Sequence, residues 1–254
     1  MIHVLLKGGL GNVMFQIAAG YSHAIKLKTS LKVVKPALHF SHGDVYTKYK
    51  NNILAQIKFI NVSNYPLYKE PFFHYTRLPL HPPITLNGYF QSEKYFVDYR
   101  DDILNLFKFP KKVILYTKKK YQDLLNNPLI SLHVRRGDYL KFPGVHPLCT
   151  LEYYKQALSK LPDINKVLIF SDDIEWCKQN FIGDRFIFIQ EEDYISLYLM
   201  SLCDYNIIAN SSFSWWGAWL NQNPDKVVIA PKTWFGLKSN HNINDLIPSS
   251  WIKI

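Results

Sequence analysis

Short apolar runs alternate with segments of helical spacing in the second half of the chain. The runs occupy residues 129–134, 167–170, 186–189, 206–209 and 227–230, and helical spacing lies at 152–161 and 194–203. Buried parallel strands read as continuous apolar runs, and the helices between them cover the faces of the sheet. The pattern therefore predicts an α/β fold with a parallel sheet covered on both faces.

The first half of the chain begins with a predicted strand, a tight turn and a helix. Residues 2–6 form an apolar run, Gly8-Gly9-Leu10-Gly11-Asn12 follows as the turn, and apolar positions recur at helical spacing over 14–25. The turn is similar to the dinucleotide fingerprint G-x-G-x-x-G, but methionine stands where that fingerprint needs a small residue. Helical spacing returns at 97–107 and 113–125.

Residues 36–90 carry many Pro, His and Tyr and show weak periodicity, so no regular element is predicted there. Asn126-Asn127-Pro128 is the strongest candidate for a domain boundary, because proline after two asparagines ends a helix. A chain of 254 residues is long enough for two domains. We predict that they span residues 1–127 and 128–254.

Polar clusters directly follow four of the predicted strands. They are Arg135-Arg136, Asp172-Asp173, Gln190-Glu191 and Asn210-Ser211-Ser212. The carboxyl ends of parallel strands share one edge of the sheet, and ligands bind at that edge in open α/β sheets. We expect the four clusters to converge on one crevice.

The arginine pair is the most informative of these clusters. Arg135 and Arg136 leave a buried strand and need anionic partners. One guanidinium can pair with Asp138, which leaves the other to bind a phosphate through two parallel hydrogen bonds, and Gly137 permits a sharp exit from the strand. His133, two residues before the pair, is a further candidate site residue. The alternative is a surface loop held by an Arg–Asp pair.

Asp172 and Asp173 have three interpretations: a divalent-metal pair, a hydrogen bond to a nucleotide base or ribose, and a helix N-cap. The adjacent spacing and the arginines nearby favour the hydrogen bond, and no metal is expected. Ser211, Ser212 and Ser214 begin a predicted helix whose free N–H groups suit an anion. The alternative for these serines is capping, followed by tryptophans that fill the core.

Composition and charge narrow the function classes. The chain is 48% hydrophobic and 20% charged, which excludes a disordered protein, and its net charge of +10 suits nucleic acid, an anionic membrane or a small phosphorylated ligand. The charge is spread along the chain and no nucleic-acid motif is present, so no nucleic-acid partner is expected. Lys118-Lys119-Lys120 is interpreted as a solvated helix face. No apolar stretch is long enough for a membrane span and no signal peptide is seen, so a cytoplasmic protein of bacterial or viral origin is expected.

The chain resembles glycosyltransferase family 11, the inverting α-1,2-fucosyltransferases. The resemblance is carried by Gly8 to Asn12 with Met14-Phe15-Gln16, Gly88 to Phe96, His133-Val134-Arg135-Arg136-Gly137-Asp138, Phe170 to Asp173, and Asn210 to Leu220. Val13 departs from the family, which usually has glutamine there. The matched segments run from residue 8 to about 235.

The resemblance implies a GT-B-like architecture, in which two Rossmann-like domains with parallel sheets face each other across a cleft. GDP-fucose would bind mainly to the C-terminal domain, and the N-terminal domain would serve the acceptor. By similarity, Arg136 would contact the diphosphate with Arg135 beside it, and no metal would be needed. Asp138 would brace Arg135, and His133 with Asp172 or Asp173 would lie by the guanosine. The other substrate-binding positions are Ser211, Ser212 and Phe213 around the phosphates and base, Asn12 near the fucose, and Gly11.

The implied reaction moves L-fucose from GDP-β-L-fucose to the 2-hydroxyl of a terminal galactose on an oligosaccharide acceptor. The candidate catalytic residues are Arg135, Arg136, Asn12 and Glu93. Glu93 is a candidate for the general base that takes the proton from the acceptor hydroxyl, and Asp44 and His146 are the other candidates for that role. The alternatives are another GDP-sugar or linkage on the same scaffold, a catalytically inactive sugar-binding protein and, most distantly, a basic nucleic-acid-binding module. The oligomeric state is open.

Overall fold

The structure is a computed structural model that describes residues 1–35 and 45–254. The chain divides into two compact units. Unit 1 comprises Met1–Pro110 and His241–Pro248, and unit 2 comprises Lys111–Asn240 and Ser249–Ile254. Both are α/β structures, as the alternating pattern predicts.

Unit 1 is built on a five-stranded sheet in the order β3-β2-β1-β5-β4, in which every pair of neighbours is parallel. Its elements are β1 (Ile2–Leu5), α1 (Leu10–Lys26), β2 (Leu31–Val34), α2 (Val45–Tyr49), β3 (Phe59–Ile60), β4 (Leu67–Lys69), β5 (Ile84–Asn87) and α3 (Arg100–Leu106), with short 3-10 helices at Glu93–Tyr95 and Val97–Tyr99. Ile2 of the central strand is in register with Leu31 on one side and Ile84 on the other.

The predicted strand, turn and helix at the start of the chain are confirmed by β1 and α1. Ile2 and Val4 are completely buried in the central strand. Gly20 lets α1 approach this strand closely, because a Cβ there would collide with Val4. Gly8 has a φ of +80°, a left-handed conformation that glycine adopts without strain, and it turns the chain from the strand into the helix.

Residues 36–90, where the weak periodicity predicts no particular element, contain strands in the part that the structure describes. Strands β3, β4 and β5 lie there, with two, three and four residues. Runs this short hardly display a period of two, and the first two of these strands are edge strands, half-buried in β3 and largely exposed in β4. Their pairing with the central strands is a tertiary property.

Unit 2 contains a six-stranded sheet in the order β11-β10-β9-β6-β7-β8, again with every neighbour pair parallel. Its elements are α4 (Lys111–Lys120), α5 (Gln122–Leu125), β6 (Ile130–Val134), α6 (Leu151–Ser159), β7 (Val167–Ser171), α7 (Ile174–Asn180), β8 (Phe186–Ile189), α8 (Asp193–Met200), β9 (Tyr205–Ile207), α9 (Ser212–Trp219), β10 (Val227–Ala230) and β11 (Ile252–Lys253). A 3-10 helix follows β6 at Asp138–Lys141.

The five apolar runs predicted as strands in the second half are all strands of this sheet. All five residues of β6 are buried, because helices cover both faces of the sheet around it. The predicted helices at 152–161 and 194–203 are α6 and α8. Helix α7 has only seven residues and lies between two predicted strands where the periodicity signalled no helix.

The two units meet in sequence at Pro110 and Lys111, and the predicted boundary at 127/128 falls inside unit 2. Helix α4 packs on α8, and Tyr121 lies in the same hydrophobic cluster as Leu129, so these residues belong to the second sheet. The signal at residues 126–128 marks only the end of α5. A helix end inside a domain uses the same residue types as a linker, and local sequence does not distinguish them.

Residues 241–248 return to unit 1 near the end of the chain. Asp245 accepts a hydrogen bond from the Tyr75 backbone N–H at 3.1 Å and forms an ion pair with Lys94. Across the described ranges, no helix combines the length and apolar character that crossing a bilayer requires.

Candidate functional site

Arg135 is held rigidly at the carboxyl end of β6. Its Nη2 donates to Asp138 Oδ1 at 2.5 Å, and its Nη1 lies 3.0 Å from Asp172 Oδ2. Its guanidinium also lies over the Tyr139 ring, 5.3 Å from the centroid. The pairing of one arginine with Asp138 is therefore confirmed, and this guanidinium links the ends of β6 and β7.

Arg136 is anchored by its backbone and by one side-chain nitrogen. Its backbone N–H donates to Asp172 Oδ1 at 2.9 Å, and its Nε donates to Asp173 Oδ2 at 3.0 Å. Its guanidinium carbon lies 4.0 Å from the centroid of the Trp176 ring. Among the described residues no hydrogen-bond partner approaches Nη1 or Nη2, so the outer edge of this guanidinium can receive an anion.

Gly137 contributes through close packing. A Cβ at this position would collide with the Asp172 carboxylate. The residue therefore lets the backbone pass directly over the carboxylate that binds Arg135 and the Arg136 N–H. This requirement is more specific than the sharp exit from the strand that the sequence predicts.

The two strand-end aspartates have different tasks. Asp173 caps α7 by accepting from the Trp176 backbone N–H at 3.2 Å, so the capping interpretation is confirmed for this residue. Asp172 instead binds Arg135 and the Arg136 backbone. In the part of the chain that the structure describes, no three His, Cys, Asp or Glu side chains group together as a metal ion would need. The guanosine contact of either aspartate and metal-free transfer both stay predictions.

His133 lies inside β6 and is buried. Its Nδ1 is 2.9 Å from Ser214 Oγ, and its ring centroid is 5.7 Å from that of Phe213. Burial, with a smaller contribution from the Arg135 charge, lowers the pKa of His133 to about 3. The imidazole is therefore neutral near pH 7 and couples β6 to the first turn of α9.

Helix α9 begins at the end of the sequence cluster Asn210-Ser211-Ser212. Ser211 is its N-cap and accepts from the Phe213 N–H at 3.4 Å, while Ser212 is the first helical residue. Trp215, Trp216 and Trp219 are buried, so the core interpretation of the tryptophans is confirmed. Phosphate contact by the serines stays a prediction.

Asn210 joins the end of β9 to the loop that follows β6. Its backbone oxygen accepts from the Tyr139 hydroxyl at 2.9 Å, and its Nδ2 donates to the Trp234 oxygen at 3.0 Å. His146 stacks on Tyr139 with the ring centroids 4.6 Å apart. The ends of β6, β7 and β9 thus come together, as the sequence predicts.

The fourth cluster does not join them by any contact in the described structure. Glu191 instead binds Lys120 Nζ at 2.6 Å and the Tyr121 hydroxyl at 2.8 Å, which ties the end of β8 to the region of α4. Lys118, Lys119 and Lys120 are all exposed, so the predicted solvated helix face is confirmed, and Lys120 forms its ion pair with Glu191 from that face. A charge pair between distant elements has no local sequence signal.

Unit 1 presents the glycine turn at the carboxyl end of β1. Helix α1 begins at Leu10 with Gly9 as its N-cap, so Asn12 is in the first turn and is not the cap. Asn12 Oδ1 accepts from Gln91 Nε2 at 2.6 Å. The turn and the Gly88 to Phe96 segment, which share no local connection, are joined by this bond. Gly11 is buried in the first turn of α1.

Gln16 closes the same turn from inside α1, and the sequence analysis assigned it no role of its own. It is completely buried, its Oε1 accepts from the Lys7 N–H at 2.9 Å, and its Nε2 donates to the Lys7 oxygen at 2.9 Å. A polar side chain on an otherwise apolar helix face was the available signal. It satisfies both backbone groups at the end of β1.

Glu70 was also missed, because it follows β4 in the region without visible periodicity. Its carboxylate accepts from the N–H groups of Tyr89 at 2.6 Å and Phe90 at 2.9 Å. Phe90 has a φ of +51°, so these bonds hold a backbone conformation that few side chains adopt. Burial outweighs the opposing hydrogen bonds and the Lys7 charge, and it raises the pKa of Glu70 to about 7.

The three candidate bases are scattered. Glu93 begins the 3-10 helix that Ser92 caps in unit 1, and it interacts electrostatically with Arg100. His146 belongs to unit 2. Asp44 lies outside the described residues. The assignment of the base stays a prediction for each.

Comparison with known sequences assigns the family. The sequence profile described as Glycosyl transferase family 11 matches residues 1–254, and the chain belongs to this family. It is 31% identical to the O-antigen biosynthesis glycosyltransferase WbnK of Escherichia coli, over 98% of this chain and 99% of that protein. It is also 31% identical to an α-1,2-colitosyltransferase of Escherichia coli, over 98% and 97% of the two chains.

A more distant mammalian relative and a solved structure extend the picture. The bovine galactoside α-(1,2)-fucosyltransferase 1 is 24% identical over 84% of this chain and 64% of its own length. The crystal structure of the fucosyltransferase NodZ from Bradyrhizobium superposes with a TM-score of 0.58 at 13% identity, over 85% of this chain and 91% of that one. The fold is therefore GT-B-like, with two parallel-sheet α/β domains, as the resemblance implied.

Proposed function

We propose that this protein transfers L-fucose from GDP-β-L-fucose to the 2-hydroxyl of a terminal galactose on a glycan acceptor, forming an α-1,2 linkage. The observation that carries the proposal is the Arg136 guanidinium, whose Nε is bound by Asp173 and whose terminal nitrogens find no hydrogen-bond partner within the described residues. A guanidinium prepared in this way fits a phosphate bidentately. The sugar in the proposal is supported by the fucosyltransferase named among the relatives.

Two features of unit 2 would stabilise the leaving group. Transfer breaks the bond between the fucose C1 and the diphosphate oxygen, and the electron pair leaves with GDP. The Arg136 guanidinium would neutralise the developing charge, and the free N–H groups in the first turn of α9, near Ser211 and Ser212, would bind the same diphosphate. Removing one preorganised donor of this kind costs about 3–4 kcal/mol of transition-state stabilisation.

The remaining site residues take their proposed roles from the family resemblance. Phe213 would pack on the guanine base, with His133, Asp172 and Asp173 supporting the guanosine side. Arg135 and Asp138 would keep the arginine loop rigid.

On unit 1, Asn12 and Gly11 would lie against the fucose. Glu93 would accept the proton from the acceptor hydroxyl, with Asp44 and His146 as the other candidates. No metal would take part, and neither nucleic acid nor a membrane would be a partner of this cytoplasmic enzyme.

Colitose is the second candidate sugar, because a relative 31% identical over nearly the whole chain is an α-1,2-colitosyltransferase. Colitose is the 3-deoxy analogue of L-fucose. A site that hydrogen-bonds the 3-hydroxyl would discriminate strongly against the analogue that lacks it, whereas an apolar site would not. Competition between GDP-fucose and GDP-colitose with one acceptor decides between them.

The first experiment is thermal unfolding with GDP, UDP, ADP and a short DNA duplex, all in EDTA. A ligand at 100 times its dissociation constant stabilises the folded state by about 2.7 kcal/mol, so the midpoint rises measurably. We expect a rise with GDP alone. A rise only with UDP or DNA would contradict the proposal, and a GDP effect that is absent in EDTA but present in a repeat with Mg²⁺ would contradict its metal-free part.

The second experiment identifies the product. GDP-fucose is incubated with lactose and, separately, with 2-deoxygalactose, which lacks the proposed acceptor hydroxyl. We expect GDP release and an α-1,2-linked product, identified by NMR, with lactose only. A product formed with the deoxy sugar would show that another hydroxyl is the acceptor.

A further inference from the structure

Trp176 forms one side of a clamp around the Arg136 guanidinium. The guanidinium carbon lies 4.0 Å from the centroid of the indole ring, close to van der Waals contact. Asp173 Oδ2 receives the Arg136 Nε at 3.0 Å and forms the other side of the clamp. The arginine side chain is 17% exposed, so most of it is enclosed by protein.

The two sides of the clamp are connected to each other. Asp173 Oδ1 accepts from the Trp176 backbone N–H at 3.2 Å, while its second oxygen holds the arginine. One carboxylate therefore sets the start of α7 and the guanidinium together. Trp176 packs against Phe181, with the two ring centroids 6.3 Å apart, and against the hydrophobic cluster that includes residues of β6 and β7.

We propose that Trp176 is a positioning residue for Arg136, holding the guanidinium so that its two terminal nitrogens face the nucleotide diphosphate. This inference rests on the proposed function, because it assigns Arg136 to that ligand. The indole of tryptophan is the strongest aromatic partner for a cation, and the planar guanidinium stacks on it without using its N–H groups. The ring thus fixes the arginine while leaving its donors available, which a second carboxylate would not do.

The decisive test is a double-mutant cycle on GDP binding, measured by isothermal titration calorimetry with the full chain. The four proteins are wild type, Trp176→Leu, Arg136→Ala and the double variant. We expect Trp176→Leu to weaken GDP binding about tenfold, which corresponds to about 1.4 kcal/mol. In the Arg136→Ala background the same substitution should change the dissociation constant less than about twofold, because the residue it acts through is gone.

Two further variants separate positioning from packing. Trp176→Phe keeps an aromatic face, and it should restore GDP binding to within about threefold of wild type. Leu161→Ala is the matched control: it removes a buried side chain from the same hydrophobic core and lowers the unfolding midpoint, and it should leave the GDP dissociation constant unchanged. In steady-state kinetics with GDP-fucose, Trp176→Leu should show a raised KM and a lowered kcat, whereas the control variant should show neither change.

The outcomes are distinct. Equal loss of GDP affinity from Trp176→Leu in both backgrounds, or a lowered midpoint with unchanged GDP binding, would overturn the positioning role while the proposed function stands. A wild-type protein that binds no GDP in the same titration would overturn the proposed function and the positioning role together.

Discussion

His133 Nδ1 lies 2.9 Å from Ser214 Oγ, and this contact joins the strand that delivers the arginine pair to the helix that begins at Ser212. The imidazole is buried and its pKa is lowered to about 3. The unfolded chain therefore binds a proton below pH 6.5 that the folded protein does not bind until about pH 3.

The free energy of unfolding should consequently fall as the pH drops from 6.5 towards 3, by up to about 1.4 kcal/mol per pH unit from this group. Urea denaturation of wild type and His133→Gln at pH 7 and pH 5 measures the effect as the difference between the two proteins, because Glu70 contributes in the opposite direction over the same range. His133→Gln should be less stable at pH 7 but should lose less stability on acidification, and the exposed His81→Gln should behave like wild type. An unchanged acid dependence in His133→Gln would contradict the burial argument.

Arg136→Ala should nearly abolish transfer while the fold survives. The variant removes the guanidinium proposed to neutralise the departing diphosphate, a loss of about 3–4 kcal/mol and hundreds-fold in rate. Arg136→Lys should recover only part of it, since an ammonium cannot bind a phosphate bidentately. Steady-state GDP release and circular dichroism are the measurements, and Arg185→Lys is the control in the same unit. Near-normal turnover by Arg136→Ala would refute the assignment.

Gly137→Ala should impair the site through Asp172. The added methyl group would collide with the carboxylate that binds Arg135 and the Arg136 N–H, and overpacking of this kind costs about 1–3 kcal/mol. We expect weaker GDP binding together with a lower unfolding midpoint. Gly183→Ala is the matched control, because its φ of +117° makes alanine strained while its Cβ would touch nothing. Gly183→Ala should lose stability but keep its GDP affinity. Equal GDP affinity in Gly137→Ala and Gly183→Ala would contradict the role assigned to Gly137.

Glu70 contributes in the direction opposite to His133: its share of the free energy of unfolding falls as the pH rises from 4.5 through 7. Its folded-state pKa of about 7 is above the ordinary value of 4.5, so the folded state holds a proton that the unfolded chain has released between these values. Stability from this group is complete below pH 4.5 and is lost as the pH passes 7. Lys7 and Tyr95 are the titratable groups that face it.

Glu70→Gln should remove this dependence when urea denaturation is compared at pH 5, 6 and 8. The exposed Asp98→Asn should retain it. A variant curve parallel to the wild-type curve would show that Glu70 titrates normally in the folded protein.

Asn12→Ala should lower kcat without weakening GDP binding. Asn12 lies on unit 1, whereas the residues proposed to bind the nucleotide lie on unit 2. Its loss also leaves the Gln91 amide without its 2.6 Å partner, so the Gly88 to Phe96 segment loses a tie to the glycine turn. Kinetics with GDP-fucose and lactose, GDP calorimetry and the exposed Asn61→Ala control test this. Weakened GDP binding in Asn12→Ala would contradict the division of roles.

The sequence alone determined five of the six strands of the second sheet and the residues that follow them, and it missed only the two-residue edge strand β11. Strands such as β6 are buried on both faces, so they appear as unbroken apolar runs, and the polar side chains at their ends follow by simple counting. The same local logic identified the turn at Gly8 and the arginine pair. It could not identify β3, because two residues on a sheet edge carry no period.

Tertiary structure decided which partner most of the charged and polar site groups have. Arg135 and Asp138 are close in sequence, and their pairing was predictable; Arg136 with Asp173, Glu191 with Lys120, and Asn12 with Gln91 join elements that are distant along the chain. The domain boundary and the role of Glu70 were hidden for the same reason. The periodicity of the sequence indicates which face of a helix or strand is buried. Pairs between distant residues depend instead on how helices and loops pack over the strand ends, and this packing is a property of the whole folded unit.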